Sequence, residues 1–420
     1  MNNTKRLLAL AVSAALTAPM SAFATNGMLM EGFGPIATGM GGASMAYDNG
    51  TAAMMNNPAT LGLMPEGSRL DIALGYLTSE VSMDIGPGMM KHKSKSDSFF
   101  APALGWVKRD GDMIYGVGVF AQGGMGVDFR DPFGMGSQDG DMYSQMSVGR
   151  VLLPFAYNVS EQLTLGATIE YVWANLDLQF MNGFQFRDSS DFTGEATGGG
   201  FAGKLGFVYQ VNEQFNIGGA YHTKGNIGDL TGASGTFNPS FMGGADVTMP
   251  ATFKFKGFDM PAVIALGMAF QPNDRLMFVA DVKQIQWSGT MKTPVLEIVG
   301  MGDTGSMFRQ DWKDQNVVSI GAAYQFSEAF TGRIGANIAD NPVPDRTLSP
   351  LFPAIVKSHY TLGFGYNFND KQSVDLSLVH APANTARASQ VDNQTAQMLG
   401  TDFSMKHGQT NWQLMYSHRF

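Results

Sequence analysis

From Tyr360 to Phe368 the chain alternates without a break. Tyr360, Leu362, Phe364, Tyr366 and Phe368 fall on one side, and Thr361, Gly363, Gly365 and Asn367 on the other. Period two puts such sets on opposite faces of a strand, whereas a helix would scatter each set around its circumference. The alternation recurs at Leu163, Leu165, Ala167, Ile169, Tyr171 and Trp173, opposite Thr164, Gly166, Thr168 and Glu170. It returns at Val318, Ile320, Ala322, Tyr324 and Phe326, and again at Val374, Leu376 and Leu378. At the end of the chain Trp412, Leu414, Tyr416, His418 and Phe420 share a face opposite Asn411, Gln413, Met415, Ser417 and Arg419. A soluble sandwich or propeller would bury its aromatics and turn the polar set outward. A strand facing lipid does the reverse.

Between these segments lie short polar pieces of tight-turn composition: Asp110-Gly111-Asp112, Ser160-Glu161, Asn212-Glu213, Pro272-Asn273-Asp274, Ser327-Glu328 and Asn369-Asp370. The other connections are longer and rich in Gly, Pro, Asn and Ser, as at 226–252 and 289–312. Tight turns alternating with long loops is the asymmetry of an outer-membrane barrel, with turns in the periplasm and loops outside. The pattern predicts an all-β transmembrane barrel over 67–420, with fourteen antiparallel strands. Their approximate spans are 68–83, 97–109, 112–129, 145–158, 162–178, 198–211 and 214–225. The second half gives 254–270, 275–288, 313–326, 329–340, 357–368, 371–382 and 407–420.

Two N-terminal segments break the pattern. Lys5 and Arg6, the apolar run Leu7–Leu16 and the small-residue site Ala22-Phe23-Ala24 predict a signal peptide over 1–24. That run is too short to span a bilayer as a helix. Residues 25–66 show no sustained alternation, much Gly and Met, and only Glu31, Asp48 and Glu66 as charges. Such a segment is too apolar for a free periplasmic tail, and a place inside the barrel, as a plug, is expected.

Composition narrows the picture. Charged residues make up 15% and aromatics 11%, with 52 glycines, 29 methionines and no cysteine. Ordinary globular chains carry about 25% charged residues. After the leader no apolar stretch approaches the ~20 residues of a membrane helix. The formal net charge is −9, and removing Lys5 and Arg6 makes it more negative, which argues against nucleic acid as a partner.

The chain resembles the FadL/TodX family of outer-membrane transporters of hydrophobic compounds. Gly41, Gly42, Ala43 and Asp48 lead into Asn57-Pro58-Ala59, which is similar to the family's NPA motif in its N-terminal hatch. Gly116-Val117-Gly118-Val119-Phe120 and Gly123-Gly124-Met125-Gly126 resemble its third strand. Trp312-Lys313-Asp314, Asn341-Pro342-Val343-Pro344, Pro353 and Gly363-Phe364-Gly365-Tyr366 follow its C-terminal order. The resemblance implies fourteen strands, a hatch closing the lumen, and a kinked third strand that opens the wall. Cargo would land between extracellular loops, enter a greasy lumen and leave sideways into the outer leaflet.

Gly123, Gly124 and Gly126 are therefore the expected lateral gate, since glycine weakens strand pairing; lumen clearance is the alternative. Phe184, Phe186, Phe192, Phe237, Phe241 and Met242 are apolar residues in loops, which marks them as candidate ligand surface; loop packing would explain them equally. The resemblance points to long-chain fatty acids, whose carboxylate needs a buried cation or several donors. No Lys or Arg lies between Arg150 and Arg187, which departs from that expectation. Arg309, Lys313 and Arg346 remain as candidates, or as rim charges. The alternative cargo is an uncharged aromatic or aliphatic hydrocarbon.

No Ser–His elbow or metal-ligand spacing is present, and Asp139-Gly140-Asp141 has turn composition; neither an enzyme nor a cofactor is expected. A general aqueous porin is the rival from another class. The expected partners are greasy small molecules, outer-membrane lipid and lipopolysaccharide, on a monomer in the bacterial outer membrane.

Overall fold

The computed structural model describes residues 26–86, 91–132, 140–187 and 195–420, and at Phe241, Met242, Ser306 and Met307 the backbone alone. The predicted signal peptide, Asp139 and Phe192 lie outside the described residues.

Twenty strands form one sheet, and every pairing is antiparallel. In chain order they begin with β1 (Gly67–Ile85), β2 (Lys91–Lys93), β3 (Ser98–Asp110), β4 (Met113–Phe129), β5 (Met142–Asn158), β6 (Leu163–Phe180) and β7 (Phe184–Phe186). Next come β8 (Ala196–Asn212), β9 (Phe215–His222), β10 (Leu230–Phe237), β11 (Met249–Lys256), β12 (Val263–Asn273), β13 (Leu276–Ile285) and β14 (Val295–Ile298). The last are β15 (Gly302–Asp303), β16 (Gln315–Gln325), β17 (Phe330–Ala339), β18 (Ser358–Asn369), β19 (Gln372–Ala388) and β20 (Phe403–Arg419).

Successive hairpins pair around a circuit, and β20 returns to β1 from Arg69↔Arg419 to Ile85↔Phe403. Closure removes the exposed sheet edges that would otherwise carry unpaired backbone into lipid. The outward faces are apolar: Ile72, Phe155, Ile169, Phe201, Leu266, Ile334 and Leu362 are all exposed. The inward faces bury polar groups instead, among them Asp71, Thr168, Asn337, Ser377 and Asn411. That inversion is the one the alternation predicts.

The strand count differs from expectation. Sixteen strands have eight or more residues, where fourteen were predicted. The single strand expected over 254–270 is two, β11 and β12, separated at Gly257, whose φ of +74° turns the chain. The connection 226–252, expected as loop, contains β10, which pairs with β11 through Ala233↔Phe253 to Phe237↔Met249. These loops carry their own alternation, Phe253 and Phe255 inward and Lys254 and Lys256 outward, which period two alone merges with the strand that follows. The short strands β2, β7, β14 and β15 also extend the sheet into the loops.

Residues 26–64 run inside the circuit and are almost wholly buried. They hold one helical turn, Pro35–Thr38, and two 3-10 turns, Gly50–Met54 and Pro58–Leu63. Glycines on the inner wall make room for them. A Cβ at Gly335 would stand 2.1 Å from the Gly41 nitrogen, and one at Gly206 would stand 2.0 Å from Asn57 Oδ1.

Candidate functional site

Asn57, Pro58 and Ala59 sit where the inner segment meets the wall. The Asn57 amide donates to the carbonyls of Met45 (2.7 Å) and Phe207 (2.9 Å), and its oxygen accepts from the Ala59 N–H (3.1 Å). Phe207 lies in β8, so one side chain both caps the 3-10 turn and ties it to the wall. Lys204, three residues earlier on the same strand, donates to the carbonyls of Met54 and Met55.

The wall is incomplete between β3 and β4. Their ladder runs from Asp110↔Met113 to Ala103↔Phe120 and stops. Beyond it β3 continues to Ser98 and β4 to Phe129, with no pairing between them. Pro102 has no N–H to offer a ladder and stands one residue past the last pair. Opposite it, the β4–β5 register slips between Ala121 and Gly123, leaving Gln122 as a bulge. Gly123, Gly124 and Gly126 follow the bulge and stay paired to Val148, Ser147 and Gln145. The bulge itself falls on Gln122, one residue before the predicted glycines. Leu29 of the inner segment makes an isolated bridge to Gly123, so that segment approaches the unpaired edge. Nearer the loops the gap is bounded by Lys95 N–H donating to the Asp128 carbonyl (2.8 Å).

Sequence reasoning missed the polar centre of the lumen. Arg150 is fully buried, hydrogen-bonded to Glu170 and to Gln122. His222 Nε2 lies 2.9 Å from a Glu170 oxygen, and Lys204 Nζ lies 3.6 Å from the other. Lys283 donates to the Gly42 carbonyl (2.6 Å) and lies within electrostatic reach of Asp281 and Glu31. Three cations thus face three carboxylates. Beside them Met30, Phe33, Met45 and Met55 line a cavity with Gln122, Lys204 and Lys283. The missed signal was inward parity: Arg150 pairs with Val172 and Lys204 with Thr168, on faces that bury side chains.

Toward the loops an aromatic cluster closes the interior. Phe184 and Phe186 on β7 and Phe237 on β10 are all buried there, as three of the predicted ligand residues. Phe308 packs 5.7 Å from Phe184 and 5.8 Å from Phe255; Phe186 packs 5.0 Å from Phe253. Trp287 and Trp312 meet edge to face at 5.0 Å. Phe253, Phe255, Phe308 and Trp287 were not predicted. Phe241 and Met242 fall in the 3-10 turn Pro239–Met242. Asp259, between the buried Phe258 and Met260, has its pKa raised by that burial, against the pull of Lys224.

The three predicted cations are not in the lumen. Arg309 and Arg346 are more than half exposed and share Asp311, at 2.7 and 3.1 Å, and Lys313 is exposed. They are rim charges: the loop that carries Trp312 inward turns its neighbours outward. Asp141 is held by Arg130 at 3.0 Å.

A family model described as "Outer membrane protein transport protein (OMPP1/FadL/TodX)" matches residues 11–420. Over 64 residues the chain is 52% identical to an uncharacterized protein of Chlorobium limicola, covering 15% of this chain and 32% of that protein's length. It is 24% identical over 342 residues to outer membrane protein P1 of Haemophilus influenzae, covering 72% of this chain and 71% of that one. The crystal structure of the Pseudomonas putida toluene transporter TodX superposes with a TM-score of 0.80 at 26% identity, over 93% of this chain and 99% of that one.

Proposed function

This chain belongs to the OMPP1/FadL/TodX family of outer-membrane transport proteins, and on that premise we propose that its cargo is an uncharged hydrocarbon. The family moves hydrophobic compounds across the outer membrane as transport channels, not as enzymes. The charge balance of the lumen carries the finer reading. A fatty-acid carboxylate brought there must either displace Glu170, Asp281 or Glu31 from its cation or remain unpaired at a cost of several kcal/mol. A neutral molecule imposes neither demand and gains by leaving water.

Cargo collects on the aromatic cluster of Phe184, Phe186, Phe237 and Phe308. It passes to the cavity beside Met30, Phe33, Met45 and Met55, where flexible thioethers fit ligands of different shape. It leaves through the gap between β3 and β4, at Gly123, Gly124 and Gly126, into the outer leaflet. Residues 25–66, exported behind a signal peptide over 1–24, act as a hatch, held by Asn57, Pro58 and Ala59. The dense hydrogen bonding of that segment to the inner wall supports a closed channel over an open aqueous pore. A closed ring without a free edge supports a monomer.

One observation favours a second reading. Arg150 Nη2 is buried without a hydrogen-bond partner among the described residues, and a fatty-acid carboxylate would satisfy it. Uptake of labelled toluene and oleate by cells lacking their own channel separates the two. Saturable toluene uptake without oleate uptake is expected. Oleate uptake that falls in Arg150→Gln paired with Glu170→Gln would replace the first reading by the second.

A further inference from the structure

The strand register assembles a basic patch on the outside of the barrel that no step of transport uses. Two cross-strand rows run over β2, β1, β20 and β19 near their loop ends. One row is Lys93, Ser82, Lys406 and Thr385; the next is Lys91, Asp84, Ser404 and Arg387. On β1 the inward residues of this stretch, Val81, Met83 and Ile85, are buried in the apolar interior. Period two therefore turns the exposed Asp84 and the residues paired with it to the outer face, and places Ser82 on that face too, covered by its neighbours. Lys91, Lys93, Lys406 and Arg387 are all exposed. They face two carboxylates, Asp84 in the row of Lys91 and Glu80 one row nearer the membrane.

Two features set these cations apart from the paired cations of the wall and lumen. Arg69, Arg130, Arg150 and Arg333 each have an ion-pair partner within 4.0 Å. Lys91, Lys93, Lys406 and Arg387 have no ion pair or side-chain hydrogen bond among the described residues. Their height is also defined. Tyr76, Trp412 and Phe100 meet on the same outer face, with ring centroids 5.3 and 5.6 Å apart, as an interfacial girdle does. Ser82 lies six steps along the strand from Tyr76, which on a tilted strand is about 15 Å above the girdle. Phosphate groups of a glycolipid headgroup lie in that layer, above the acyl chains.

We propose that this patch binds the phosphorylated sugars of lipopolysaccharide. Four exposed cations against Asp84 and Glu80 leave this face net positive on a chain whose net charge is −9, and such a local field attracts an anionic surface. The patch also lies directly above the unpaired end of β3, whose Phe100 and Ser98 pair with Tyr76 and Thr78. A lipopolysaccharide docked here fixes the level of the wall, so that the gap opens among acyl chains and below the sugars.

The test uses the full chain in detergent, titrated with rough-type lipopolysaccharide and with the same lipid after dephosphorylation. Each basic group near an anionic headgroup layer is worth about fivefold in affinity. The phosphorylated form should bind at least tenfold tighter, and K91E/K93E/R387E/K406E should lose that preference while keeping heat-modifiable migration. Equal binding of both lipids, or unchanged preference in the variant, overturns the proposal. So does full displacement of the lipid by millimolar inorganic phosphate, which would mark a free-anion site. Should the variant not assemble, the salt response of the unmodified protein decides. Binding of the phosphorylated form must weaken steeply with salt, and a flat response refutes the patch.

Discussion

Asn57→Ala should unseat the inner segment without disturbing the barrel. The side chain is fully buried and makes three hydrogen bonds, to Met45, Phe207 and Ala59. Each contributes about 0.5–1.5 kcal/mol net, and every buried backbone group left without its partner adds roughly 1–3 kcal/mol. Only the bond to Phe207 crosses to the wall; the other two shape the turn that presents it. Losing the wall bond and orphaning the Phe207 carbonyl together remove about 3 kcal/mol of docking free energy, the middle of that range. At 1.4 kcal/mol per decade, the undocked population should rise roughly a hundredfold. Single-channel recording in planar bilayers reads this directly, since an undocked segment leaves a path for ions. The unmodified protein should be nearly silent, Asn57→Ala should show frequent openings, and removal of residues 26–64 should give a large steady conductance. Asn57→Asp keeps the acceptor for Ala59 but loses both donors, so it should resemble alanine. A folded Asn57→Ala barrel as silent as the parent would refute the latch. Steady conductance in the unmodified protein would refute the closed channel altogether.

Two further outcomes follow from the lumen and the wall. Glu170→Gln strands Arg150 and Lys204 in the interior with a neutral partner, a loss of about 3–5 kcal/mol; it should lower the thermal unfolding midpoint in detergent far more than Glu80→Gln on the outer face. Gly124→Val and Gly126→Val should reduce toluene uptake severalfold while heat-modifiable migration stays normal; normal uptake in both would remove the β3–β4 gap from the route.

The wall was legible because lipid imposes one rule on every strand that crosses it. At 360–368 and 407–420 aromatic and small residues alternate so strictly that the strands found there, Ser358–Asn369 and Phe403–Arg419, needed little adjustment. The loops obey no such rule. Phe253 and Phe255 alternate as well as any wall residues, but their strand ends at Gly257, and nothing in the alternation tells a wall strand from one in a loop. The site was partly legible for a related reason. Phe184, Phe186 and Phe237 stood out as apolar residues in polar surroundings, and the structure gathers them. Arg309, Lys313 and Arg346 stand near a motif, but proximity in sequence does not fix direction. Asp311 holds two of them outward. Arg150 and Lys204 carried the better signal, inward parity in a buried strand, but a cation on an inner face cannot be assigned a role until its partners are known.

Those partners change how the lumen selects. A greasy channel would reject fatty acids simply by lacking cations, and this one does not lack them. It holds Arg150, Lys204 and Lys283 inside the wall and spends each on internal bonds. Lys204 and Lys283 also donate to the backbone of the inner segment, at Met54, Met55 and Gly42. The charges that would attract a carboxylate are therefore the ones that fasten the inner segment to the wall. An anionic ligand that captured either lysine would loosen the segment as it bound, and so pay for part of its own affinity. On the proposed route a neutral ligand leaves those bonds intact and exits through the β3–β4 gap. On that proposal selectivity and closure rest on the same few side chains. Lys283→Met should accordingly raise ion conductance without creating oleate uptake, whereas a simple charge filter would leave conductance unchanged.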